Sequence, residues 1–225
     1  IGLAMELSES GVKDFGLKFG QAEEYLKVIA EIANLSSHRG QDLALRAAQL
    51  AEKYGAPEKA AHSKGLEMPA YDPRGSYGMG LGYATSERGA CHLRAFTIFA
   101  DDPFKIKAMA RDVIDGQNSN AAKWSMCFCD FWGSIDTAAM ADMLTAGLGR
   151  QVSAEDLDKA GERIWNQLRA IDVRCFGRDR AIDDTTIDGF TYPGKDDGVM
   201  LDREAFQPLL DSYYELSGWN PTNGW

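Results

Sequence analysis

The chain has 225 residues, of which 24 are Lys or Arg and 34 are Asp or Glu, so its formal net charge is −10. This excess of acid argues against non-specific binding to nucleic acid or to anionic membranes. No apolar run approaches the roughly 20 residues that cross a bilayer, and the N-terminus lacks the pattern of a signal peptide. Four cysteines are too few for a disulfide scaffold, so we expect a reduced, cytoplasmic location.

Both ends of the chain resemble interior segments of a longer protein. The first residues read as part of an amphipathic segment, and the last eight are rich in turn-forming residues. We therefore expect this chain to be a piece of a larger polypeptide.

The apolar periodicity is helical along most of the chain. It predicts helices over residues 21–35, 41–54, 136–146, 153–175 and 202–216, with two more opened by Asp72-Pro73 and Asp102-Pro103. Gly147 is expected to end one of them, and Pro208 is expected to kink the last. Residues 93–99 form the only run that could pair as a strand, and residues 177–198 read as a polar loop outside the core. The pattern predicts a mainly α, multihelical fold with little or no sheet, in two helical lobes over residues 1–110 and 111–225.

A glycine-rich segment, residues 71–86, is the first of three places that could carry chemistry. Four glycines fall within residues 75–82, although each costs about 1 kcal/mol in a helix relative to alanine. Their spacing is not the dinucleotide-binding fingerprint, and no strand precedes them. Close packing between helices and close approach of a ligand both explain them.

The second place is residues 88–94, Arg-Gly-Ala-Cys-His-Leu-Arg. His92 can serve as a general acid or base near neutral pH, and Arg94 can hold an anionic cofactor. A hydrogen-bonded structural histidine is the alternative.

The third place is residues 124–133, Trp-Ser-Met-Cys-Phe-Cys-Asp-Phe-Trp-Gly. On a helix, Cys127 and Cys129 would point about 200° apart and would not serve one site. An iron–sulfur cluster needs four thiolates, which the spacing of the four cysteines does not supply. Buried free thiols in an aromatic setting are the alternative.

Taken in order, these segments resemble the tungsten-containing aldehyde:ferredoxin oxidoreductase family. The resemblance rests on three strings, Lys-Gly-Leu-Glu-Met-Pro-Ala-Tyr-Asp-Pro-Arg-Gly at 64–75, Gly-Leu-Gly-Tyr-Ala-Thr-Ser at 80–86 and Arg-Gly-Ala-Cys-His-Leu-Arg-Ala at 88–95. Cys-Asp-Phe at 129–131 and the closing Tyr-Tyr-Glu-Leu-x-Gly-Trp at 213–219 fit as well. The similarity covers essentially the whole chain, as the two helical C-terminal domains of that family.

The resemblance implies a tungsten (or molybdenum) bis-pterin beside one [4Fe–4S] cluster, in an enzyme that oxidises aldehydes to carboxylic acids and passes electrons to ferredoxin. His92 matches the family histidine near the metal, which is assigned proton transfer or substrate orientation. Arg94 would lie where a cation can contact the pterin or its phosphate. Cys129 matches the fourth cluster ligand, and backbone groups of Met126, Cys127 and Phe128 would wrap the pterin.

The family's Asp-x-x-Gly-x-Cys motif is altered here. Trp124 stands at its Asp position and Cys127 at its Gly position, which weakens the pterin assignment and makes Cys127 a competing cluster ligand. The family's other three cluster cysteines and its β-rich cofactor domain lie upstream of this chain. We therefore expect the 225 residues alone to hold no tungsten, pterin or cluster and to be inert.

Two readings from other classes stay open. One is a non-catalytic helical scaffold or interaction domain of the same fold, which the changes at Trp124 and Cys127 favour. The other is a small redox switch that uses Cys127 and Cys129. The sequence leaves open the substrate, the choice between tungsten and molybdenum, and whether the parent protein is a homo-oligomer.

Overall fold

A computed structural model of the chain describes residues 1–97, 105–132, 135–190 and 200–225. Within these ranges the fold is mainly helical, as predicted, with ten α-helices, two short 3-10 helices and one two-stranded sheet. The α-helices are α1 (Gly2–Glu9), α2 (Ala22–Asn34), α3 (His38–Leu43), α4 (Ala47–Lys53), α5 (Tyr77–Thr85), α6 (Ile106–Ser125), α7 (Thr137–Leu148), α8 (Ala154–Phe176), α9 (Arg180–Asp184) and α10 (Arg203–Leu216). The 3-10 helices cover Pro57–Lys59 and Thr185–Phe190.

The sheet is a hairpin of two-residue strands, β1 (His62–Ser63) and β2 (Leu66–Glu67), paired antiparallel. Its turn residues Lys64 and Gly65 both have positive φ, 53° and 81°, which a two-residue hairpin turn of the primed type requires. The predicted strand at 93–99 is wrong over its described part, since Asn120 holds the carbonyl groups of Leu93 and Arg94. Residues 98 and 99 lie outside the described ranges.

Several helices begin or end at capping residues that can be recognised in the sequence. Ser153 and Asp156 bond reciprocally as a capping box at the start of α8, and Gly177 ends that helix in the left-handed conformation. Asp202 caps α10, which runs through Pro208 to Leu216. Asp136 caps α7 close to the predicted helix start, but the helix ends at Gly149 rather than at Gly147.

Two helix predictions are wrong. The single helix expected over 41–54 is broken between α3 and α4, because Glu67 accepts a hydrogen bond from the free backbone N–H of Ala47 and so stabilises a new helix start. Asp72-Pro73 opens a turn, in which the Asp72 carboxylate accepts from the backbone N–H of Arg74. The helix begins instead after Ser76, whose hydroxyl accepts from Met79. The Asp102-Pro103 start lies outside the described residues.

The polar segment 177–198 is also different from expectation. Its first part forms α9 and the second 3-10 helix, and Asp183, Thr186 and Ile187 there are at most 2% exposed. The charges are buried because they pair with other charges, which composition alone does not reveal. Residues 191–198 lie outside the described ranges.

Buried apolar side chains form two main clusters. One joins α1 to α4, from Ala4 to Ala56, and the larger one joins α5, α6, α8 and α10, from Leu81 to Trp219. The larger cluster draws on residues before and after position 110, and the two-lobe boundary there stays a prediction. Among the described residues, no helix combines the length and apolarity that a membrane crossing needs.

Candidate functional site

The glycine-rich segment forms α5, in which every residue from Gly78 to Thr85 is buried. A Cβ atom on Gly80 would lie 3.2 Å from the Phe206 ring and 3.3 Å from Pro73, and one on Gly82 would lie 3.4 Å from the carbonyl oxygen of Ala95. The atoms that leave little room for a side chain at Gly80 and Gly82 belong to the protein itself. Close helix packing therefore explains the segment.

The histidine segment, residues 88–94, follows α5 directly and is fixed against the hairpin by Gly89. The φ of Gly89 is +101°, and a Cβ atom there would lie 2.1 Å from the carbonyl oxygen of Ser63. Any side chain at this position would collide with strand β1. The backbone of the histidine segment is therefore placed by packing.

His92 is half-buried in a group of aromatic rings. Its imidazole lies 5.2 Å from the Tyr71 ring and 6.2 Å from the Phe96 ring, and these two rings are 5.4 Å apart in an edge-to-face arrangement. Tyr71 and Phe96 are both exposed at the surface. The imidazole is thus oriented by ring contacts at an open face, as a group that meets a bound molecule would be.

Cys91 is buried beside His92, and Arg88 donates a hydrogen bond to its sulfur. Burial of the Arg88 guanidinium lowers its pKa, but this bond and the negative charges of Glu87 and Asp130 outweigh burial, so the pKa is raised overall. Arg88 therefore keeps its positive charge next to the histidine.

Arg94 is held by two partners. Its guanidinium forms an ion pair with Glu87, and its central carbon lies 3.8 Å above the ring centre of Trp124. The Trp124 indole N–H in turn donates to the carboxylate of Asp130. These contacts bring residues 87–94 and 124–130 together, although 30 residues separate them in sequence.

The cysteine segment, residues 126–132, continues from the end of α6. The backbone N–H groups of Met126 and Phe128 donate to the carbonyl of Lys123 at 3.1 and 3.2 Å, and that of Cys127 donates to Trp124 at 2.9 Å. Cys127 has a φ of +60°, the left-handed conformation that glycine adopts freely. The family glycine position therefore keeps a glycine-like backbone even though cysteine occupies it.

The thiols of Cys127 and Cys129 are exposed after the helix rather than on it, so the alternative of buried thiols is wrong for this segment, whereas Cys91 is buried. Phe131 beside them is 79% exposed, and Trp132 is 52% exposed. Within the described ranges, no three His, Cys, Asp or Glu side chains are grouped to hold a metal ion. Cys129 thus presents one thiol at an open, aromatic surface.

Comparison with known proteins identifies a family for the chain. The family model described as "Aldehyde ferredoxin oxidoreductase, domains 2 & 3" matches residues 1–225. The chain belongs to this family. It is 36% identical over 240 residues to the tungsten-containing aldehyde ferredoxin oxidoreductase of Pyrococcus furiosus, and 35% identical over 240 residues to that of Thermococcus kodakarensis. Each alignment covers 96% of this chain and 38% of the relative, so the chain spans less than two fifths of the length of these curated relatives.

The residues fit the cofactors of an aldehyde ferredoxin oxidoreductase unequally. An exposed thiol at Cys129 fits one ligand of a cluster that needs four. The pterin contacts fit less well, because a phosphate approaching Arg94 has to compete with Glu87 for the guanidinium. The N–H groups of Met126, Cys127 and Phe128 already donate within the chain, so this segment would meet a pterin through its carbonyl oxygens.

The sequence does not predict the roles of three residues of the site. Glu87, Asn120 and Asp130 hold the two segments together, and no local motif or spacing indicates that they do so. Of the other two histidines, His38 is exposed, and His62 is half-buried with a buried Nδ1 atom.

Proposed function

We propose that this chain forms the helical part of a tungsten (or molybdenum) pterin oxidoreductase that oxidises aldehydes to carboxylic acids. Electrons would pass through a [4Fe–4S] cluster to ferredoxin. The observation that carries the proposal is the family match over residues 1–225, since relatives of that name cover nearly the whole chain. The proposal concerns the protein that contains this chain, because the chain spans under two fifths of those relatives.

The tungsten–pterin group, when bound, supplies the two-electron oxidation of the carbonyl carbon. His92 exchanges a proton with the substrate or orients it, and its imidazole is suited to this because the Tyr71 and Phe96 rings fix its plane at an open surface. Cys129 donates one thiolate to the cluster. Met126, Cys127 and Phe128 would line the pterin with main-chain groups, and Arg94 packs against Trp124, two residues before them.

The test uses the product of the entire reading frame that encodes this chain. We expect the purified protein to contain tungsten or molybdenum together with iron, and to reduce ferredoxin when an aldehyde is added. The Cys129→Ser variant should lose the electron paramagnetic resonance signal of the reduced cluster. Cys175→Ser, which removes another exposed thiol on α8, is the matched control and should keep it.

The same signal decides between the two cysteines. If Cys127→Ser loses the cluster while Cys129→Ser keeps it, Cys127 is the ligand and the assignment of Cys129 is wrong. If both variants keep a full signal, neither cysteine binds the cluster.

His92 has its own test. His92→Gln should keep tungsten and iron content but lower kcat for aldehyde oxidation by about 10²- to 10⁴-fold, the usual contribution of a general acid or base. His38→Gln is the control, because His38 is exposed and lies 54 residues before His92 in the sequence. Unchanged kcat in His92→Gln would remove His92 from the proton-transfer step.

The 225-residue chain on its own should bind neither cluster nor pterin, because one thiolate and one imidazole do not complete either site. Metal analysis after anaerobic reconstitution with iron and sulfide measures this directly. Stoichiometric iron in the chain alone would contradict it.

A non-catalytic helical scaffold of the same fold is the second candidate. It is favoured by Trp124 and Cys127 at the motif positions, and by the pairing of Arg94 with Glu87. A folded whole protein that contains neither tungsten, molybdenum nor iron would support this candidate and contradict the first.

A further inference from the structure

Arg94 and Trp124 connect the segment that carries His92 to the segment that carries Cys129. We propose that they are positioning residues, and that the contacts from Glu87 through Arg94 and Trp124 to Asp130 set the histidine segment and the cysteine segment relative to each other. The catalytic meaning of this interlock rests on the proposed function. The physical coupling does not, and it can be measured in the chain without cofactors.

The first contact is the stack of Arg94 on Trp124. The central carbon of the guanidinium lies 3.8 Å from the ring centre of Trp124, and the Arg94 side chain is only 17% exposed. Glu87, 14% exposed, balances its charge. A cation stacked on tryptophan in a desolvated place is among the stronger contacts of this kind.

The second contact carries the interlock to the cysteine segment. Trp124 lies in the last turn of α6, and its indole N–H donates to Asp130, the residue directly after Cys129. Phe128 and Cys127 are tied to the same turn by backbone hydrogen bonds. The Trp124–Asp130 bond is the side-chain tie that extends this anchoring beyond Cys129.

The third contact fixes the other side. Asn120, one helical turn before Trp124, donates to the carbonyl oxygen of Leu93 at 2.8 Å and to that of Arg94 at 3.4 Å. Residues four apart share one face of a helix, so Asn120 and Trp124 form a single landing surface on α6. His92 lies two residues before Arg94, and Cys129 lies one residue before Asp130, so both depend on that surface for their placement.

The interlock gives Trp124 a role within this chain. The resemblance aligns Trp124 with the motif's aspartate, and here the indole packs against the Arg94 guanidinium while Glu87 balances its charge. Arg94 is thus used within the chain. Lysine would keep the ion pair but has no guanidinium to place over the indole, so Arg94→Lys is not a conservative change.

The test is a double-variant cycle in the 225-residue chain, read by hydrogen exchange. Arg94→Gln and Trp124→Leu should each raise the exchange rates of amides in residues 126–132 about tenfold, and the double variant should exceed neither single by more than about twofold. Trp124→Phe keeps a ring for the contact with Arg94 but lacks the N–H that bonds Asp130, so exchange in residues 126–132 should stay as fast as in Trp124→Leu. Trp225→Leu, at an exposed tryptophan outside this segment, is the matched control and should leave those rates unchanged.

A second readout reports the position of Cys129 itself. In a Cys127→Ser, Cys175→Ser background, Cys129 is the remaining exposed thiol, since Cys91 is buried. The spectrum of a nitroxide label on Cys129 should indicate greater mobility when Arg94 is changed to Gln, although Arg94 lies on the histidine segment. Circular dichroism confirms that each variant stays folded.

The interlock would be contradicted if the effects of the two substitutions were additive. It would also be contradicted if the label spectrum did not change in Arg94→Gln. Neither outcome touches the proposed function, which stands or falls on tungsten and iron content in the whole protein. Conversely, a whole protein without metals would leave the measured coupling intact and remove only its catalytic meaning.

Discussion

Arg169 donates to the Oδ2 oxygen of Asp183 at 2.7 Å in the interior, and the Nζ atom of Lys64 lies 2.9 Å from the Oδ1 oxygen of the same carboxylate. None of the three side chains is more than 5% exposed. Lys64 also donates to the carbonyl oxygens of Ala84 and Ser86, at 2.7 Å each. This buried carboxylate therefore joins the hairpin, the end of α5 and α9, immediately before the histidine segment begins.

Removing that carboxylate should be costly. Asp183→Asn removes the charged carboxylate that contacts both buried cations, and we expect it to lower the free energy of unfolding by about 3–5 kcal/mol. Asp188→Asn is the control, because Asp188 pairs with Arg203 at the surface and such pairs contribute about 1 kcal/mol or less. Urea unfolding of both variants measures the difference. Equal losses would show that the buried carboxylate contributes no more to stability than the surface pair.

The sequence predicts the fold where caps and periodicity agree, and α8 is the clearest case. Ser153, Asp156 and Gly177 mark its ends, and apolar positions three or four apart mark its buried face. The prediction for residues 180–190 is wrong for the opposite reason. Asp and Gly there signal a solvated loop, but Asp183 is buried because Arg169 and Lys64, 14 and 119 residues away along the chain, supply its charge partners.

The candidate site divides in the same way. His92 and Cys129 come from the resemblance, because long strings around them match the family. Their positions relative to each other depend on Glu87, Asn120 and Asp130, whose roles exist only after the chain has folded. Contacts between segments 30 residues apart leave no trace in local pattern.

The crossing of α6 and α8 depends on a single glycine. A Cβ atom on Gly161 would lie 2.0 Å from the carbonyl oxygen of Asn118, so Gly161→Ala should force the helices apart and lower the free energy of unfolding by about 3 kcal/mol. Gly147→Ala makes the same change near the end of α7, where nothing lies within 4 Å of the added atom. That variant should gain up to about 1 kcal/mol from helix propensity. Denaturant midpoints of the two variants should therefore move in opposite directions, and a shared direction would contradict the packing.

Cys127 tests the backbone at the motif's glycine position. Its φ of +60° is strained for cysteine, so Cys127→Gly relieves that strain and should change stability by no more than about 1 kcal/mol. Cys127→Val places a β-branched side chain in the same conformation and should cost about 2 kcal/mol. Thermal unfolding of both variants provides the comparison. If Cys127→Val were as stable as Cys127→Gly, the result would contradict a left-handed conformation at this residue.

The ion pair between Arg39 and Glu31 should give the chain a specific sensitivity to acid. Hydrogen bonds from Arg39, and then from Ser37, lower the pKa of Glu31 from 4.5 to about 2. The unfolded chain therefore binds a proton at Glu31 near pH 4.5 while the folded chain resists it until about pH 2. The stability that the pair contributes is fully present above about pH 5 and is lost as the pH falls towards 2.

Arg39→Gln removes the main cause of the shift. We expect the variant to be less stable than the parent chain at pH 6, and the gap between their urea midpoints to close as the pH is lowered from 5 to 2. Lys27→Gln, which breaks the exposed pair with Glu24, is the matched control and should show a small gap at every pH. A gap between the parent chain and Arg39→Gln that stays constant from pH 6 to pH 2 would mean that Glu31 titrates alike in the folded and unfolded states.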